Sequence, residues 1–115
     1  MILNGIDIIK IDRFKELIKN DKFMNSNFNN NEIEYINNNT QTLAGLFASK
    51  EAFLKALKKG INNYSLKDIE IIHDSNKAPS FIFYNELKEY NNYNISLSIS
   101  HDGDYAIALV SMIIL

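Results

Sequence analysis

Residues 2–9, ILNGIDII, are apolar almost throughout and read as a strand, with Asp7 set among isoleucines. Next, Ile11, Phe14, Leu17 and Ile18 are spaced for one face of a helix from about Asp12 to Asn20. Asp12 is its expected N-cap, and Arg13, Lys15 and Lys19 fall on its polar side. Residues 21–30 read as irregular, and a short helix is expected at about 31–38. The clearest helical pattern is LFASKEAFLKAL at 46–57. At roughly 100° per residue, Leu43, Leu46, Phe47, Phe53, Leu54 and Leu57 gather on one side of the wheel. Thr40 or Thr42 can cap this helix, and Gly60 is a natural C-terminal stop after Lys58 and Lys59.

Beyond Gly60 the period changes. Residues 68–72 and 80–83 read as strands around a turn at Asn76-Lys77-Ala78-Pro79. A short helix at about 84–90 leads into Asn94-Ile95-Ser96-Leu97-Ser98-Ile99-Ser100, where alternation is strict. Asp102-Gly103 then signals a hairpin turn. The last strand, Tyr105 to Ile114, is apolar on both faces, so it belongs in the middle of a sheet or at a subunit contact. The predicted class is α+β, a mostly antiparallel sheet packed against one long helix and shorter helices. No linker or repeat interrupts the pattern, so residues 1–115 are expected to form one domain.

Composition adds exclusions. An apolar share of 46% with 23% charged residues is that of an ordinary globular protein. No apolar run approaches the ~20 residues needed to cross a bilayer, and the first segment does not read as a signal peptide. The absence of cysteine removes disulfides and thiolate metal sites. A cytoplasmic protein with no membrane role is the simplest reading. A net charge of −2 argues against a general nucleic-acid binder but permits a local basic face. Asparagine runs such as Asn29-Asn30-Asn31 and Asn37-Asn38-Asn39 read as codon drift on an exposed surface.

Four features bear on chemistry. An ionised Asp7 in an apolar strand costs several kcal/mol unless it is paired or metal-bound, points to solvent, or caps a turn. Glu51 and Lys55 form an i,i+4 pair, ordinarily a solubility feature worth ~0.3–0.5 kcal/mol. Lys50 lies within the apolar stripe, where its ammonium either snorkels to water or joins Glu51 and Lys55 along one groove. Two cations and a carboxylate so grouped suit a magnesium–diphosphate substrate. His101, in SISHDGDYA, is either a polar turn residue or a binding group. No P-loop, dinucleotide-binding glycine pattern, catalytic Ser/His/Asp set or His-rich metal spacing is present.

Taken in order, GIDIIKIDRF, LAGLFASKEAFLKAL, SLKDIEI and SISHDGDYAIA resemble the holo-acyl-carrier-protein synthases, the short members of the 4′-phosphopantetheinyl transferase family. The resemblance implies transfer of phosphopantetheine from coenzyme A to a serine of apo-acyl carrier protein, in fatty acid biosynthesis, with release of adenosine 3′,5′-bisphosphate. It implies Asp7 and Glu51 as magnesium ligands, Lys55 as a diphosphate contact and Lys50 as a support of the phosphate site. It also places Gly60, Pro79 and His101 against coenzyme A, and makes Arg13 and Lys15 the docking face for the acidic carrier. A homotrimer with active sites between neighbouring subunits is implied as well.

The chain departs from the family pattern in having Leu46 where a basic residue is common, a reduced glycine turn at Lys59-Gly60-Ile61, and Lys77-Ala78-Pro79 in place of G-K-P. The general base is left open between a metal-bound water, Glu51 and His101. The rival readings are a non-catalytic trimeric ligand-binding module and a magnesium-dependent hydrolase of diphosphate nucleotides.

Overall fold

The computed structural model describes residues 1–58 and 64–115. Strand β1 (Ile2–Lys10) is followed by 3-10 turns at Ile11–Phe14 and Leu17–Lys19, then by helices α1 (Asp21–Asn27), α2 (Asn30–Ile36) and α3 (Thr40–Ala56). A 3-10 turn at Leu66–Asp68 precedes β2 (Ile69–His73) and β3 (Pro79–Phe83). A 3-10 stretch, Asn85–Asn92, then leads to β4 (Asn94–Asp102) and β5 (Tyr105–Ile113). The strands form two antiparallel sheets, one ordered β1-β5-β4 and the other β2-β3.

The doubly apolar last strand does lie mid-sheet, with β5 paired to both β1 and β4. Its inner residues Ala106, Ala108, Val110 and Met112 are fully buried against α3. Small side chains on both elements allow that approach. Gly5 of β1 is the extreme case, since a Cβ there would lie 1.9 Å from the Ala52 carbonyl oxygen and 2.6 Å from the Ala56 nitrogen. Beside it, Asn4 Oδ1 accepts a hydrogen bond from Ser111 Oγ. At the other end of α3, a Cβ on Gly45 would stand 3.0 Å from Ile99 Cγ2 of β4.

Helix α3 is less amphipathic than its sequence suggests, because every residue from Leu43 to Lys50 is buried. The sheet covers one side. Phe53 packs on Phe83 and Phe81 of the hairpin at 4.5 and 5.6 Å between ring centroids. Phe47 meets Phe14 and Phe23 at 5.2 and 6.1 Å on another side. A helix enclosed in this way has no solvent edge to which a lysine at position 50 could snorkel.

Several local expectations need correction. The single helix over 12–20 is replaced by two 3-10 turns, closed by bonds from Lys15 N to Asp12 O, Lys19 N to Glu16 O and Asn20 N to Leu17 O. Ile11, Phe14 and Leu17 recur every three residues, which matches the 3.0-residue period better than 3.6. Asp12 caps nothing and instead pairs with Lys15 on the surface. Residues 21–27 are helical rather than irregular, with the Asn20 side chain accepting from Phe23 N. Asn39, not a threonine, caps α3 by accepting from Thr42 N. That helix ends at Ala56, ahead of Lys58 in the left-handed region (φ 59°), and Gly60 lies outside the described residues. The helix expected at 84–90 is a 3-10 stretch.

Lys50 is fully enclosed. Its ammonium donates to Glu32 Oε1 (2.8 Å), Asn27 O (2.8 Å) and Leu66 O (2.9 Å), and lies 4.5 Å from the Phe28 ring centre. Glu32 in turn accepts from Asn29 N and Ile71 N, so one ion pair ties α1, α2, α3 and β2 together. Burial lowers the Lys50 ammonium to about 8 against the opposing pull of Glu32. Lys50→Met should strand the Glu32 carboxylate and cost about 3–5 kcal/mol in urea unfolding. Adding Glu32→Gln should recover part of that loss. Equal stabilities for the single and double variants would show that the lone Glu32 carboxylate carries no penalty.

Candidate active site

The close contact of Gly5 with α3 dictates where Asp7 goes. Gly5, Asp7 and Ile9 share the inner face of β1, so Asp7 lands beside the last turns of the helix. There Asp7 Oδ1 accepts from Lys55 Nζ at 2.8 Å. Lys55 therefore reaches across to β1 instead of serving chiefly as a partner of Glu51 along its own helix. Asp7 Oδ2 is buried and has no hydrogen-bond partner among the described residues.

Glu51 completes the cluster. Burial first, and the adjacent Asp7 carboxylate second, push its carboxyl up to about 7, against the opposing pull of Arg13 and Lys55. Two carboxylates held this close, one with an unsatisfied oxygen, form a site suited to a cation. Among the described residues no group of three or more His, Cys, Asp and Glu gathers into a closed metal cage. The donor set fits magnesium nonetheless, because that ion characteristically takes one or two carboxylates and completes its shell with water and substrate phosphate.

Toward the other end of α3 lies a groove of about 240 Å³. Its lining includes Gln41, His73, Lys77, Pro79 and His101, with Leu46 where a basic residue was expected. Tyr35 and His73 stack nearly parallel at 3.8 Å to form one flat wall. Burial holds the His73 imidazole below its usual range, against Asp74. Lys77 reaches the groove from a tight turn in the left-handed region (φ 65°), which Asp74 Oδ1 closes by accepting from Asn76 N and Ala78 N. From Gly45 to Glu51 is six residues, or ~9 Å along the helix axis, so the groove and the carboxylates share one scaffold.

The sequence-predicted residues thus separate into groups. Asp7, Glu51 and Lys55 come together at the end of α3, while Pro79 and His101 meet in the groove. Arg13 lies 5.7 Å over the Phe47 ring and acts electrostatically on Glu51, which puts it at the rim of the carboxylate site. Lys15 is exposed and paired with Asp12 at 3.1 Å. Lys50 is turned away from both sites, because its three protons are committed inside the core. Its expected role as a coenzyme contact is therefore replaced by a structural one. Sequence reasoning missed Gln41, Tyr35 and His73 in the groove, and it missed Glu32, whose place three residues after the N-cap Asn29 is a recognisable capping pattern.

Comparison with known proteins places these features in a wider set. A profile of the 4′-phosphopantetheinyl transferase superfamily matches residues 4–110. The chain is 46% identical to a holo-[acyl-carrier-protein] synthase of Caldicellulosiruptor saccharolyticus over 116 aligned positions, covering 94% of each protein. It is 41% identical to the corresponding synthase of Clostridium kluyveri, covering 94% of this chain and 87% of that one. Among solved structures, holo-[acyl-carrier-protein] synthase of Helicobacter pylori in complex with coenzyme A superposes with a TM-score of 0.87 at 37% identity. That match covers 96% of this chain and 99% of the other.

Proposed function

The chain belongs to the 4′-phosphopantetheinyl transferase superfamily, and from that premise we propose that it is a magnesium-dependent holo-[acyl-carrier-protein] synthase. It transfers 4′-phosphopantetheine from coenzyme A to a serine of apo-acyl carrier protein, with residues 1–115 acting as one transferase domain in the cytoplasm. The observation that carries this reading is the Asp7–Glu51 carboxylate pair, with its orphaned Oδ2 and adjoining Lys55, on the helix that also walls the groove.

Coenzyme A lies with its adenosine and 3′-phosphate in the groove, where Lys77 and His101 face the phosphate and the Tyr35–His73 wall offers a flat surface to the purine. Its diphosphate extends toward Lys55. Asp7 and Glu51 are the residues that hold magnesium, which when bound offsets charge on the diphosphate and draws electron density from phosphorus. The carrier serine forms an Oγ–P bond at the phosphorus bearing pantetheine, and the bond to the bridging oxygen breaks to release adenosine 3′,5′-bisphosphate. Lys55 offsets the charge that develops on the departing phosphate. We assign the serine proton to Glu51, the half-buried carboxylate at the edge of this cluster. Arg13, at the rim beside Phe47, receives the acidic carrier next to these groups, with Lys15 farther out.

Incubation with coenzyme A, magnesium and an apo carrier should raise the carrier's mass by one phosphopantetheine, and only when the metal is present. Release of the bisphosphate without carrier modification would make the protein a hydrolase. No turnover with any of several carriers would leave a ligand-binding module.

The exposed face of the sheet supports a homotrimer. Ile2, Ile6 and Ile8 of β1, with Leu109 and Ile113 of β5, form an exposed apolar face opposite the core. A face of this kind suits burial in a homotrimer. Leu109→Lys is expected to lower the mass measured by light scattering from trimer to monomer, with the circular dichroism spectrum unchanged. A variant that stays trimeric would remove this face from the interface.

A further inference from the structure

The Gly45–Ile99 contact has a neighbour one step along each element. Gln41 lies four residues before Gly45, on the same side of α3, and His101 lies two residues after Ile99, on the same side of β4. The approach of helix to strand therefore carries Gln41 onto His101, and Gln41 Nε2 stands 2.8 Å from His101 Nδ1. Both backbones are fixed. Gln41 sits in the first turn of α3 behind the Asn39 cap, and His101 is paired with Ala106 in the sheet.

In this orientation of the carboxamide its nitrogen donates, and His101 Nδ1 accepts. In a neutral imidazole the ring proton then resides on Nε2, since the tautomer is set by the hydrogen bond that the other nitrogen makes. The geometry points to Gln41 as a positioning residue that fixes His101 as an Nε2–H donor toward a phosphate in the groove. With Leu46 occupying the wall where a basic side chain was expected, an oriented donor matters more here, because Lys77 is the only permanently charged side chain among the described groove residues. The ligand half of this inference rests on the coenzyme A reading. The tautomer half does not.

The two halves separate experimentally. The chain has two histidines, so long-range proton–nitrogen NMR spectra of the whole protein contain two imidazole patterns. The wild type should show His101 Nδ1 unprotonated and Nε2 protonated, and Gln41→Leu should mix the tautomers. With adenosine 3′,5′-bisphosphate as the probe, Gln41→Leu should weaken binding about tenfold, the effect of losing one oriented hydrogen bond to a charged group. Gln41→Glu should protonate both ring nitrogens and keep near wild-type affinity, because a glutamate–imidazolium pair has the same net charge as glutamine–imidazole and still offers Nε2–H. Glutamate matches glutamine in shape, so the doubly protonated ring, and not the affinity alone, separates an oriented donor from a change in packing. Protonated Nδ1 with bare Nε2 in the wild type would overturn the inference, as would unchanged probe affinity in Gln41→Leu. A wild type with the expected tautomer that takes up no bisphosphate would sink the coenzyme A reading and uphold the tautomer.

Discussion

Glu51→Gln is expected to lower kcat for phosphopantetheine transfer by roughly 10²–10⁴-fold, the loss of several kcal/mol that follows removal of a ligand to a catalytic cation. The fold should survive, because Glu51 lies at the cluster's half-buried edge, outside the buried core. Stability supplies a second and independent sign. The Glu51 carboxyl is raised from 4.5 to about 7 by burial and by Asp7. Its contribution to the stability of the metal-free protein is thus fully present below about pH 4.5 and is lost as pH rises through about 7. Glutamine has no such titration. In chelator, the variant's Tm should therefore exceed the wild type's above pH 7, and the two should converge in acid. Magnesium should close the gap by raising the wild type alone. Near-normal turnover in the variant, or a Tm difference independent of pH, would take Glu51 out of the metal site.

Gly5→Ala should be the most damaging single methyl that can be added to β1. The new Cβ would sit 1.9 Å from the Ala52 carbonyl oxygen. The obstruction is backbone, so no rotamer change can relieve it, and trimming Ala52 to glycine would not help. The strand must lift from the helix, at a cost of about 3 kcal/mol or more. Two residues on, Asp7 would move away from Glu51 and Lys55. Turnover should accordingly fall even at temperatures where the variant remains folded. Urea unfolding together with activity well below Tm tests both parts. Wild-type stability would mean that the strand and helix do not approach as closely as the structure has them.

The strong periodic signals were legible from sequence alone. Strict alternation in β4, the doubly apolar β5 and the long run of α3 all form, and Asp7, Glu51 and Lys55 gather at one end of that helix. What escaped was of two kinds. Short elements carry too few residues for a period to be counted, so α1 read as irregular and the turns after β1 as one helix. The asparagines were also underestimated. Asn20, Asn29 and Asn39 are the N-caps of α1, α2 and α3, while Asn37, Asn38 and Asn85 occupy left-handed backbone positions that few side chains tolerate. Codon drift cannot account for such placement. Lys50 was misread for a different reason. A helical wheel shows which side of a helix a residue is on, but not that α3 is enclosed on every side there, nor that Glu32, eighteen residues earlier, waits inside.

Asn4 precedes Gly5, and an asparagine followed by glycine is the dipeptide most inclined to lose its amide, because the unhindered glycine nitrogen can attack the side-chain carbonyl. Here that attack is blocked on two sides. The Asn4 carboxamide is held by Ser111 Oγ, and Gly5 is pinned between its β5 neighbour Val110 and the backbone of α3. The ring closure needs a freedom that this segment gains only when strand and helix part. Chemical ageing at Asn4 therefore keeps time with the parting of β1 from α3.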